Sequence, residues 1–299
     1  MKNVLKKIFG FREAALLIMI IIIVVFLSFS SRHFLTVNNL RTTAVGMSAD
    51  GIMAIGMTMA LISGGFDLSV GSVFALTTIV TTRLYQDGMS IWLASGMGLL
   101  VGAGIGFING VFIGKIKLNP FVTTLAAMSI ARGAAYVLTQ GRSIPVINPS
   151  SAFIWLGSGR IAGIPVIVMV FALLAIIINY MMKNSQIFRK IYYVGSNEKS
   201  ALLSGVNVDR VKIGIFTTTG LLAAIAGIMT LARFGVASPT TGVGAELRVI
   251  SAAIIGGTSL KGGVGTISGT VLGVILLNII NNVLVLLNVS IYWQQLISG

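Results

Sequence analysis

Apolar residues run along this chain in long continuous blocks, not in an alternating pattern. A helix needs about 20 apolar residues to cross a bilayer. The blocks predict nine spans, at 14–30, 43–62, 68–84, 91–114, 120–139, 164–182, 211–232, 247–261 and 267–289. The third and eighth are short and broken by glycine. The predicted fold is an all-α polytopic membrane helix bundle. Strands of a membrane β-barrel would alternate apolar and polar positions, which these blocks do not. The first block is too long for the apolar core of a signal peptide, and no A-x-A site follows it. The last residues, YWQQLISG, read as the start of another helix, so a tenth span is expected beyond them.

Composition agrees with a chain that lives in lipid. Of 299 residues, 56% are hydrophobic and 9% charged, against roughly a quarter charged in soluble domains. The 36 glycines suit helices that approach closely in lipid. The net charge of +14 points to loops bordering an anionic membrane face, not to nucleic acid. The absence of cysteine excludes disulfides and thiolate metal sites, and His33 alone cannot make a histidine metal cluster.

Lysine position orients the spans. With a cytoplasmic N-terminus and alternating sides, Lys2, Lys6, Lys7, Lys115, Lys117, Lys183, Lys190, Lys199, Lys212 and Lys261 all fall inside, with Arg12, Arg189 and Arg210. The outside receives Arg32, Arg41, Arg83, Arg142, Arg160, Arg233 and Arg248. Thirteen cations against seven fits the positive-inside rule.

One polar island, 183–212, interrupts the apolar pattern and falls on the inside. Within it Asn197 is a good N-cap, Glu198 complements a helix dipole, and Gly205 is a natural stop. These predict a two-turn helix over 198–204 with Ala201, Leu202 and Leu203 as its apolar patch. So short a helix needs packing to persist. It is either a connector lying on the membrane surface or a dock for a partner.

A glycine pattern, I-x-G-G-x-x-L-x-x-G, occurs at Ile62–Gly71 and again at Ile254–Gly263. Transporters are often built from two related halves with interrupted helices near the pathway, although glycine-rich turns also match by chance. Both copies fall inside, as a parallel repeat would.

The chain resembles the permease subunit of ribose-type monosaccharide ABC importers. The resemblance is carried by residues 53–76, MAIGMTMALISGGFDLSVGSVFAL, by 119–141, NPFVTTLAAMSIARGAAYVLTQG, by 254–273 and by 281–299. It covers nearly the whole chain, and implies one permease domain over 1–299. In such permeases Tyr193–Glu198 and Leu203–Val208 correspond to the cytoplasmic loop that docks in an ATPase subunit. The resemblance therefore implies a coupling loop at 183–212, with Gly195, Asn197, Glu198, Ala201, Leu202, Leu203, Ser204 and Gly205 as coupling residues. It also implies ATP and Mg on that partner, a second permease chain, a periplasmic sugar-binding protein, and a bacterial inner-membrane location. Family members continue past the position of Gly299 with one more helix, and carry a neutral residue where this chain has Asp50.

No P-loop is present: Asn109 stands where its first glycine should be before Gly114-Lys115, and Ile116 follows the lysine. No catalytic pair of acids is evident, so the chain reads as a translocation subunit and not an enzyme. Arg132 lies deep in a span, where a charge costs roughly 2.5–3.5 kcal/mol, so it should face inward toward a carboxylate (Asp50 or Asp67) or carbonyls. Asp50, Phe66, Asp67, Asn109, Phe121, Arg132, Asn278 and Asn281 are the candidate pathway residues. Each also has a structural reading: a locking ion pair, an interhelical hydrogen bond, or aromatic packing. A permease for nucleosides, branched-chain amino acids or an autoinducer, and an ion-driven transporter using Asp50, are the competing functions.

Overall fold

The computed structural model describes residues 11–298. Lys2, Lys6, Lys7 and Gly299 therefore lie outside the described residues. The helices are α1 (Phe11–Ser30), α2 (Val37–Ile62), α3 (Val70–Gln86), α4 (Ile91–Gly114), α5 (Pro120–Thr139), α6 (Ser151–Ser158), α7 (Val166–Asn184), α8 (Gln186–Ser196), α9 (Glu198–Leu203), α10 (Val208–Phe234), α11 (Ala245–Ile255), α12 (Ile267–Leu286) and α13 (Ile291–Ser298). Four two-residue strands add two small antiparallel pairs. β1 (Ile144–Pro145) pairs with β4 (Val236–Ala237), and β2 (Arg160–Ile161) with β3 (Ile164–Pro165).

Of the nine predicted spans, the third and eighth correspond to helices shorter than the rest. Among the described residues, seven helices are long and apolar enough to cross a membrane: α1, α2, α4, α5, α7, α10 and α12. The third predicted span is α3, with 17 residues. The eighth is α11, with 11 residues, or about 16 Å at 1.5 Å per residue. That cannot cover a hydrocarbon core of about 30 Å. A run of turns completes its course, with Gly242 and Gly244 in the left-handed conformation. From β4, beside the last turn of α3, residues 238–244 lead to α11, and Gly242 among them packs on Gly71 at the first turn of α3. α11 then leads to the loop where the Gly263 N–H donates to the Ile62 carbonyl. The eighth segment is thus part helix and part non-helical turns.

α2 and α10 form the centre of the bundle. Most of each is buried, and their Met57, Met59, Leu61, Leu222 and Ala223 share one apolar core. α10 lies against α4 along a glycine seam. Side chains at Gly102, Gly106, Gly110 and Gly114, four apart on one face, would collide with Gly220, Phe216, Ile213 and Asp209 of α10. This backbone-to-backbone approach replaces the hydrophobic drive that lipid does not supply. Two polar contacts fasten α12 to α2: a reciprocal Asn39–Asn282 amide pair at 2.8 and 3.1 Å, and Thr58–Thr270 at 2.6 Å. Glu13 of α1 accepts from Thr266 and Ser268 at the start of α12.

Every described lysine lies at one end of the bundle, on helix ends and loops around α8 and α9. β1 and β4 lie at the other end, together with Arg83, which donates to the Leu138 carbonyl.

Candidate functional site

The polar island folds into two helices rather than one. α8 was not foreseen. Its sequence, QIFRKIYYVGS, turns Ile191 and Val194 inward and leaves Arg189 and Lys190 exposed. The short helix does form, as α9 over Glu198–Leu203, with Ser204 as its C-cap rather than its last residue. The Asn197 side chain accepts from the Ser200 N–H at 2.9 Å. Gly205 takes the left-handed conformation, φ 78°, and the Gly205 and Val206 N–H groups return to Leu202 and Ala201. That is a Schellman stop, which closes the free carbonyls of the last turn.

α9 has two unlike faces. Ala201 is buried, with 4% exposed, in a small apolar cluster with Val194, Val206 and Val208. Leu202 and Leu203 are 63% and 89% exposed. Two neighbouring exposed leucines on a helix flanked by charges make a compact apolar patch.

Ions tether this helix. Lys212 reaches Glu198 at 2.6 Å, and Lys117, from the α4–α5 turn, reaches Glu198 at 3.6 Å and Asp209 at 2.6 Å. Burial alone would push the Glu198 carboxyl up, but Lys212 and Lys117 together hold it below its ordinary value. The hydrogen bond that Lys117 donates to the Asp209 carboxylate leads the effects that raise Lys117. Sequence reading missed Lys117, Asp209 and Lys212 as members of this site. The partners are far apart in the chain, and no local periodicity joins them.

The end of α8 carries the closest backbone contacts of the site. A side chain at Gly195 would strike the Ile62 carbonyl and lie 2.8 Å from the Gly263 nitrogen. Gly262 in turn abuts the Gly64 backbone and the Gly195 carbonyl. The two glycine patterns noted in the sequence therefore meet each other, and both meet Gly195. Tyr192 adds a bond to the Gly265 carbonyl at 2.9 Å.

The candidate pathway residues fall into three groups. Phe66, Asp67, Asn109 and Phe121 converge beside the start of α3. Asp67, 1% exposed, accepts from the Ser69 N–H and hydroxyl, Asn109 donates to the Ser69 hydroxyl at 3.1 Å, and the Phe66 and Phe121 rings meet edge-on at 6.0 Å. The second oxygen of Asp67 has no hydrogen-bond partner. Asp50 and Arg132 both engage the discontinuous segment. Asp50 forms a two-pronged pair with Arg248 of α11, at 3.0 and 3.2 Å. Arg132 donates to the carbonyls of Pro239 and Thr241, at 2.5 and 2.8 Å. Neither Asp50 nor Asp67 is its partner. A guanidinium is suited to this place, because non-helical backbone at membrane depth leaves carbonyls that need donors. Asn278 and Asn281 lie apart on α12, where Asn278 donates to the Val274 carbonyl one turn back. Among the described residues no group of three or more His, Cys, Asp and Glu is placed to hold a metal.

Known proteins resemble this sequence over most of its length. A family model described as branched-chain amino acid transport system / permease component matches residues 39–299. The ribose import permease protein RbsC of Escherichia coli K12 is 38% identical over 96% of this chain and 90% of its own length. RbsC of Bacillus subtilis 168 is 39% identical, covering 93% and 86%. The L-arabinose transport system permease protein AraH of Escherichia coli K12 is 39% identical, covering 89% and 81%. No solved structure matches. With a multi-pass helical bundle, this extent of identity establishes that the chain belongs to the permease-component family of binding-protein-dependent ABC importers.

Proposed function

We propose that this chain is the translocation subunit of an ATP-driven importer for a monosaccharide of the pentose type, and that α9 is its coupling helix. The observation that carries the reading is the Leu202–Leu203 patch. It projects from a capped and ion-tethered helix whose neighbour, Gly195, is wedged between both glycine loops. A push on that patch by an ATPase subunit is delivered to the backbones of α2 and of the α11–α12 loop without intervening flexible side chains. Sugar import is supported by the ribose and arabinose permeases at 38–39% identity.

In this reading 1–299 is one permease domain with 183–212 as its coupling loop. The lysine-rich end and the N-terminus face the cytoplasm of a bacterial inner membrane. ATP and Mg belong to the partner ATPase, a second permease chain completes the pathway, and a periplasmic sugar-binding protein delivers substrate at the opposite end. Phe66, Asp67, Asn109 and Phe121 are the best-grouped pathway candidates, because they bring two rings and three polar side chains, counting Ser69, to one place. The ion-driven alternative rests on Asp50, which is paired with Arg248.

The test is uptake into proteoliposomes holding the permease, its ATPase and its binding protein. Pentose uptake is expected only with ATP and all three proteins. Uptake driven by an ion gradient, with the ATPase omitted, would reject the reading.

A further inference from the structure

A cavity of about 420 Å³ opens between α8, the Met59 turn of α2 and the first half of α10. Its wall is apolar, formed by Met59, Phe188, Ile191, Val211 and Ile215, while Lys190 and Arg210 stand at its edge. Neither cation has an ion-pair partner among the described residues; the nearby acids Glu198 and Asp209 are taken by Lys117 and Lys212. Gly214 also lines the space, and a side chain added there would meet nothing.

We propose that this cavity is a site for an anionic phospholipid, with an acyl chain against the apolar wall and the phosphate between Lys190 and Arg210. The chemistry favours a lipid over the transported solute. A sugar needs a wall of donors and acceptors, and this wall offers only Asn207 and Thr218 beside the two cations. Position agrees as well. α8 is two-faced, as helices lying in the membrane interface are, and basic pockets between spans at that level fit anionic headgroups. The consequence is mechanical. α8 leads through Gly195 into α9, so a lipid wedged under α8 braces the coupling helix against α2 and α10.

The experiment uses the intact importer in nanodiscs of phosphatidylcholine with or without phosphatidylglycerol, followed by release into detergent and native mass spectrometry of retained lipid. Three permeases are compared: wild type, the double variant Lys190→Gln/Arg210→Gln, and Gly214→Leu, which fills the cavity and keeps both cations. Unchanged thermal unfolding in phosphatidylcholine establishes that the variants are folded. Wild type is expected to retain phosphatidylglycerol over phosphatidylcholine. Charge removal should lower that retention by about 30-fold, from two cations at the membrane surface. Gly214→Leu should also lose it, and excess inorganic phosphate should not displace it. Equal retention in all three proteins would overturn the proposal. So would a lipid that phosphate alone displaces and Gly214→Leu still holds, which would mark a plain anion site. Protection of a Lys190→Cys thiol by the ATPase in lipid-free detergent would overturn it too, by assigning the surface to protein.

Discussion

The two glycine loops, 62–71 and 254–263, share a sequence pattern and do different work. Both helices before them stop alike. Gly64 and Gly257 take left-handed conformations, and the N–H groups of Gly65 and Thr258 return to Ala60 and Ala253. Both then turn on a side-chain oxygen two residues before the N–H that it accepts: Asp67 from Ser69 at 2.8 Å, and Ser259 from Lys261 at 3.2 Å. The left-handed glycines are one place out of step with the sequence pattern, because the second helix runs one residue further, to Ile255, before its loop begins. Beyond the turn the loops part. The first buries its carboxylate against α4 and starts α3 at Val70. The second leaves Lys261 exposed, runs on to Ile267, and lays Gly262 and Gly263 on Gly195 and Ser196. One pattern thus yields a fixed wall and a contact surface, and Gly195 sits where they meet.

The largest effect is therefore expected at Gly195. Gly195→Val places a branched side chain against the Ile62 carbonyl, where only backbone is available to yield. Overpacking of this kind costs about 1–3 kcal/mol, and ATP-driven uptake should fall by about tenfold or more while the protein still reaches the membrane. Normal uptake would separate the junction from transport. A middle-sized effect separates the two loops. Asp67→Ala leaves the buried Ser69 N–H without its acceptor and should cost about 1–3 kcal/mol. Ser259→Ala, in the half-buried loop, should stay within about 0.5 kcal/mol. Thermal unfolding in detergent measures both, and equal losses would erase the distinction.

The smallest effect is a pH dependence of the α9 tether. Glu198 is held below its ordinary value of 4.5, so its contribution is complete above 4.5 and is lost as pH falls through the lower folded value. Lys117 is raised above 10.5, so its contribution is complete below 10.5 and is lost as pH rises through the raised value. A spin label on Leu203→Cys should keep constant mobility between those limits and loosen below the lower one. The change will be modest, because these groups are partly exposed and screened. Loosening near neutral pH would contradict the tether.

Local features were legible in the sequence, and long-range ones were not. The apolar blocks marked the helices, and Asn197 and Gly205 marked the ends of α9, because caps act over three or four residues. The pairing of Asp50 with Arg248, 198 residues apart, leaves no trace in either neighbourhood. The shortness of α11 was hidden for a different reason. A half-helix and a glycine loop inside a bundle are as apolar as a full span, so hydropathy cannot tell them apart. α8 was passed over because its charges suggested a loop, although its apolar positions recur at helical spacing.

The most direct test of the coupling helix uses a chain that has no native cysteine. Leu203→Cys and, at the opposite end, Ile161→Cys each supply a single thiol. Assembly with the ATPase subunit should slow labelling of Cys at position 203 by about tenfold, the protection expected of a buried apolar contact, and leave position 161 unchanged. Equal labelling at position 203 with and without the ATPase would contradict the account.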